Sequence, residues 1–185
     1  MIKVTGKNWL ALLGCLLVTS CASYSISEQE MTDYLEDNLN FNQSLGVANV
    51  MYAQVSVDDL AVKIGRVDDE RVSIAANTNA DIQMLSLQGM SLDLDLEFSA
   101  VPEYDKDTGE IFLKSLRLEH FNDKSQRLTP EIATLLKPAV AMLGQALSTQ
   151  PVYKLDSKTT KEALVKSARP NLVIKNNKLV IELFN

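Results

Sequence analysis

The chain has 185 residues, 46% of them apolar and 23% charged, with 24 acidic against 18 basic side chains, one histidine and two cysteines. That size fits one domain whose core needs no disulfide staples. The excess of acid argues against recognition of nucleic acid, or of anionic membranes, through a basic patch.

Residues 1–20 read as a secretory signal: Lys3 and Lys7 supply the positive start, and Trp9 to Val18 is an almost purely apolar run ending at small residues. A run of about ten residues is too short to span a bilayer, which takes roughly 20. Val18-Thr19-Ser20-Cys21 then matches the lipobox of bacterial lipoproteins, so Cys21 is the expected site of cleavage and acylation by fatty acids such as palmitate. The rival Leu12-Leu13-Gly14-Cys15 would leave too short an apolar core and an apolar new terminus. Cleavage before Cys21 removes two lysines and no acid, leaving one lipid-anchored domain, 21–185, of 165 residues with 16 basic and 24 acidic groups, a formal charge of −8. Ala22 follows the acylated cysteine where an aspartate commonly marks retention in the inner membrane, so the expected location is the outer membrane, facing the periplasm.

Ser27 and Glu30 form a capping box with Ile26 and Met31 placed as a staple, which predicts a helix over 28–39. From Val50 to Phe121 the period changes to two, in runs long for strands. Val72, Ile74, Ala76, Thr78, Ala80, Ile82 and Met84 share one face, and Met90, Leu92, Leu94, Leu96, Phe98 and Ala100 share one face of the next run, with Asp93, Asp95 and Glu97 facing water. Two runs switch parity midway, near Asp58-Asp59 and near Lys114-Ser115, as a β-bulge would require. Long bulged strands imply a strongly curved sheet. Turns are expected at 65–71, 86–89 and 104–109.

Thr129 and Pro130 then open a long helix to about Ser148, with Ile132, Leu135, Leu136, Ala139, Val140, Leu143 and Leu147 as its main stripe. Ala133, Ala141, Met142 and Ala146 make the other side apolar or small as well, which predicts a helix enclosed on more than one side. Pro138 predicts a kink or a break near Lys137. A short strand within 151–155, a helix over 159–168 and a hairpin over 172–184 turning at Asn176-Asn177 complete an α+β chain.

The lipobox, Ile26-Ser27-Glu28-Gln29-Glu30, Ile64-Gly65-Arg66, Val101-Pro102 through Asp105-Lys106 to Gly109, Ile111-Phe112-Leu113-Lys114 and Gln150-Pro151-Val152-Tyr153 occur in an order and spacing that resembles the YceB-like lipoproteins of Gram-negative bacteria. That family is similar in fold to the tubular lipid-binding proteins. The resemblance implies a strongly curved antiparallel sheet wrapped around a long, mostly buried helix, with an apolar groove or tunnel between them. It carries over no catalytic residue.

His120 is the one histidine, follows an alternating strand and lacks the Gly-x-Ser-x-Gly elbow of a hydrolase, so a surface position is expected. Asp105, Asp107, Gly109 and Glu110 lack the twelve-residue spacing of an EF-hand and read as a hairpin turn. The apolar set Leu92, Leu94, Leu96 and Phe98 on the sheet, opposed by Leu135, Leu136, Val140 and Leu143 on the long helix, either lines a ligand cavity or fills a closed core; sequence does not separate the two. The expectation is a non-enzymatic membrane-anchored lipoprotein, without cofactor or metal, that binds a lipid or other apolar ligand between sheet and helix. The alternative is an envelope interaction or scaffold protein with a closed core.

Overall fold

The chain enters through β1 (Ser23–Ser27) and turns directly into α1 (Glu28–Asn38) in the computed structural model, which describes residues 23–47, 51–84, 87–155 and 171–182. Ser27 fixes that corner. Its hydroxyl accepts from the Glu30 N–H while the Glu30 carboxylate accepts from the Ser27 N–H at 2.8 Å, the reciprocal pair that the sequence predicts. Met31 and Leu35 bury the inner face of α1. Glu28 faces the sheet and accepts from the Ile64 N–H at 2.8 Å and from two nitrogens of Arg66 at 2.7 and 2.6 Å. The Arg66 guanidinium holds the Glu28 carboxyl below its ordinary range, against the opposing effect of burial.

Five strands follow or flank one another in an antiparallel meander: β2 (Asn42–Val47), β3 (Met51–Ile64), β4 (Val72–Met84), β5 (Leu87–Asp105) and β6 (Glu110–Asp123). After α2 (Pro130–Thr149), β7 (Tyr153–Lys154) pairs with the start of β6 and completes a six-stranded sheet in the order β2-β3-β4-β5-β6-β7. β8 (Asn171–Lys175) and β9 (Lys178–Glu182) form a hairpin that joins β1 in a second sheet, ordered β1-β9-β8. Asn176 and Asn177 turn it with φ of 53° and 56°, the left-handed pair that such a two-residue turn demands. The Asn177 side chain donates to the Ile64 carbonyl at 2.9 Å. Gly65, at φ +62°, lies under Ile174, whose Cγ2 would be 2.7 Å from any added Cβ.

The long alternating runs bury the faces expected of them. Ile74, Ala76, Thr78, Ala80 and Ile82 of β4 and Leu92, Leu94, Leu96, Phe98 and Ala100 of β5 are all under 4% exposed, whereas Asp93 is exposed and Asp95 and Glu97 are half-buried. The bulge expected near Asp58 is present between Val57 and Asp59. β6 carries two irregularities against β5 rather than the single one expected near Lys114-Ser115: Val101 pairs with Lys114 and Ser99 with Arg117, then Phe98 pairs with Leu118 and Glu97 with His120.

Several expectations need correction. β1 and β2 are strands not expected from the sequence: each is short, and at least half of its residues are polar. Pro138 does not break α2, which is continuous from Pro130 to Thr149; the proline is exposed, so the carbonyl it leaves unpaired lies on the solvent side. Nor is α2 enclosed on several sides or mostly buried. Ile132, Leu136, Ala139, Leu143, Gly144 and Leu147 are its buried residues, while Ala141 and Met142 are exposed. The helix expected over 159–168 lies outside the described residues, as do Cys21 and Ser86; the rest of the turn expected at 86–89 is already strand, since β5 begins at Leu87.

Candidate functional site

α2 lays its buried stripe against β2, β3 and β6, and two quite different spaces separate helix from sheet. Over β3, β4 and β5 the contact is closed: Leu136, Ala139, Val140 and Leu143 meet Phe41, Val55, Thr78, Leu94 and Leu96 around a void of only 10 Å³. Over β6 it is open. There, Phe98 of β5 and Leu116, Leu118 and Phe121 of β6 face Lys137, Val140, Ala141, Gly144, Gln145 and Ser148 of α2 across a groove of about 510 Å³. That volume lies in the ordinary range of small-molecule sites.

Three local features shape this groove. Gly144 lets the helix approach the sheet at its floor, since an added Cβ would lie 3.1 Å from Leu116 Cδ2 and 3.5 Å from Phe98 Cε1. The irregularities of β6 set its wall: Ser115 takes φ 51°, and Leu118 comes opposite Phe98 and Phe121 opposite Leu96. Without those extra residues strict alternation from Ile111 and Leu113 would turn Leu116 and Leu118 outward.

Arg71 holds the distorted stretch from behind. Only 9% exposed, it donates from Nε to Ser99 Oγ at 3.0 Å and from Nη2 to the carbonyls of Ser99 and Ser115 at 2.9 and 2.8 Å. The Ser99 hydroxyl in turn donates to Glu119. These carbonyls sit where the β5–β6 register slips, so the guanidinium supplies donors in place of the interrupted ladder.

Asp123 fixes the chain as it leaves β6 for α2. It is 5% exposed and accepts from the N–H groups of Ser125, Arg127 and Leu128 and from the Ser125 hydroxyl. Burial alone would push its carboxyl up, but those donors together hold it below the ordinary range. At the far end of α2 the chain returns to the sheet through Val152 and Leu155, whose N–H groups donate to Ile111 and Gly109 at 2.8 and 2.9 Å.

The eight apolar residues singled out from sequence divide between the two spaces. Leu92, Leu94, Leu96, Leu136 and Leu143 are in the closed core, at 0–3% exposure. Leu135 packs half-buried against it. Phe98 and Val140 line the open groove, Val140 bordering both spaces. Leu116, Leu118, Phe121, Ala141 and Gly144 also line it; the parity switch in β6 and the apolar second side of α2 were their signals in the sequence.

His120 is exposed and opposite Glu97 on the outward face. Asp105 accepts from the N–H groups of Asp107 and Thr108 within the β5–β6 turn, and Glu110 pairs with Lys154 at 2.6 Å, so Asp105 fastens the turn and Glu110 ties β6 to β7. Among the described residues no group of three or more His, Cys, Asp or Glu side chains is placed to hold a metal ion. Among them, too, no helix is long and apolar enough to cross a membrane.

The family model described as "Protein of unknown function (DUF1439)" matches residues 26–178. The chain is similar to the uncharacterized lipoprotein YceB of Escherichia coli (strain K12), 28% identical over 171 residues that cover 92% of this chain and 90% of that one. It is similar also to the YceB lipoprotein of Salmonella typhimurium, 27% identical over 175 residues, 94% of this chain and 92% of that one. Among solved structures, a crystal structure of lipopolysaccharide binding protein matches with a TM-score of 0.34 and 11% identity, over 87% of this chain and 49% of that one, so the chain spans about half its length.

Proposed function

The chain belongs to the DUF1439 family, and from that membership together with its open groove we propose that it is a membrane-anchored envelope lipoprotein that binds an apolar ligand between sheet and helix, to carry or sense envelope lipid. The observation that carries the binding half is the groove itself, whose middle is walled by Phe98, Leu116, Leu118, Phe121, Val140 and Ala141. Burial of a methylene in such a place is worth about 0.8 kcal/mol, so an acyl chain can be held there with little polar recognition. Sequestration needs no catalytic residue, and the reading assigns none.

In this reading the six-stranded sheet curls around α2. Support comes from the helix touching both β2 and β6. Four strand spacings separate those strands, about 19 Å across a flat sheet, whereas a helix with its side chains is only about 10–12 Å wide. The bulges in β3 and β6 supply the bend.

The anchor is the acylated Cys21 after removal of residues 1–20, and Ala22 directs it to the outer membrane with the domain facing the periplasm. The lipobox and the lipoprotein names of the two relatives support this half. Cys21 would hold the domain close to the bilayer, with only Ala22 between the anchor and β1.

A second reading, an envelope scaffold, draws on one specific observation. Among the described residues β7 covers β6 only at Glu110 and Ile111, so the rest of that strand is an open edge beside the exposed Leu118.

The test of the first reading is titration of the mature chain, carrying Cys21→Ser for solubility, with a fluorescent fatty acid. Saturable binding is expected in the unaltered groove, and Ala141→Trp, which puts a large ring into the groove from an exposed position, is expected to weaken it at least tenfold while the fold persists. Binding that is absent, or indifferent to Ala141→Trp, would favour the scaffold.

A further inference from the structure

The groove is chemically asymmetric along its length. Of its lining residues Lys137 alone is charged, and none is acidic. Gln145 and Ser148 supply the other polar side chains, towards the C-terminal end of α2. Between these ends lie Val140, Ala141 and Gly144, with Leu116 and Phe98 across from them. Lys137 and Ser148 are eleven positions apart on one continuous helix, which at 1.5 Å per residue separates them by about 16 Å.

Lys137 is exposed and forms no ion pair among the described residues. Its aliphatic stem can lie along the apolar wall while its ammonium stays at the water boundary. The surroundings make that cation unusual in kind. A domain of formal charge −8 repels anions at long range, yet the groove places its single charge, a positive one, at one end of an apolar track.

From this we propose that the groove is built for a single-chain amphiphile with an anionic head, carboxylate or phosphate, with the head at Lys137 and the chain running along α2 towards Ser148. The inference rests on the apolar-ligand reading above and adds the class of ligand and its direction. The apolar middle provides affinity and Lys137 provides selection, because an ion pair at an exposed rim contributes little energy but orients and discriminates.

Three probes of one chain length separate these contributions: dodecanoate, dodecyl phosphate and dodecanol, each displacing a fluorescent fatty acid from the mature Cys21→Ser chain, the anions below their micelle concentrations and the alcohol below its solubility limit. The expected result is that both anions bind more tightly than the alcohol, by on the order of fivefold at low salt, with the margin narrowing as ionic strength rises. Their relative strength then tells a carboxylate source from a phosphate one. In Lys137→Met, which keeps an unbranched stem and removes the charge, the preference should vanish; in Lys137→Glu it should reverse in favour of the alcohol. A wild-type protein that binds all three alike, or a preference that survives in Lys137→Met, overturns the assignment of the head to Lys137 and leaves the apolar groove standing. Failure of the wild-type protein to take up any of the three overturns the apolar-ligand reading, and this inference with it.

Discussion

Thr78 is a polar residue in an apolar setting. It pairs with Val57 and Leu94 in the middle of the large sheet, is 3% exposed, and its hydroxyl has no hydrogen-bond partner among the described residues. The void beside it measures 10 Å³ and is otherwise lined by apolar side chains, so it offers a water no second polar contact. An orphan hydroxyl of this kind costs about 1–3 kcal/mol. Thr78→Val keeps the shape and removes the unpaired group, and should therefore stabilise the fold by about 1 kcal/mol, seen as a higher denaturant midpoint at unchanged slope. A variant less stable than wild type would mean that the hydroxyl has a partner. The alternating run from Val72 to Met84 made the inward direction of Thr78 legible in the sequence, but not its isolation, which depends on what β3, β5 and α2 bring opposite it.

Among the elements, β6 decides whether there is a groove at all. Its two slips against β5 bring Leu116, Leu118 and Phe121 to the side of α2, and Arg71 holds the carbonyls of Ser99 and Ser115 at the point of slippage. Arg71→Met would leave both without their donors. We expect a loss of about 2–3 kcal/mol, since hydrogen bonds from charged donors are the strong ones, together with faster amide exchange over 115–118 than elsewhere in the sheet. Exchange that stays uniform would show that the bulges hold without the guanidinium. The parity change from Ile111 and Leu113 to Leu116 and Leu118 disclosed the first of these slips in advance. The second, which puts Phe121 rather than His120 opposite Leu96, carries a fainter signal of the same kind, the odd step of three from Leu118 to Phe121, which a single apolar residue marks because Glu119 and His120 are both polar. α2 shows the converse: its caps and its stripe were readable, but its apolar second side suggested enclosure, whereas in the structure Ala141 lines an open groove and Met142 is exposed.

For the whole molecule, the capping box, the alternating strands and the Asn176-Asn177 turn reach the same fold from independent local causes, which is the consistency expected of a sequence that specifies one structure. What local pattern cannot convey is the line between packed core and open site. Leu96 and Phe98 are two positions apart on one face of β5, yet Leu96 closes against α2 and Phe98 borders the groove. The difference arises on β6 and α2, from the bulges and from Gly144. The central claim, that this groove holds an acyl chain in the cell envelope, is tested most directly by native mass spectrometry with lipid extraction on the mature protein purified gently from an envelope compartment, wild type beside Ala141→Trp. The account predicts a lipid of reproducible identity at one per chain in the wild type and its loss from the folded variant. A wild-type chain that is lipid-free and also refuses added lipid, or a variant that retains the same lipid at the same ratio, would contradict it.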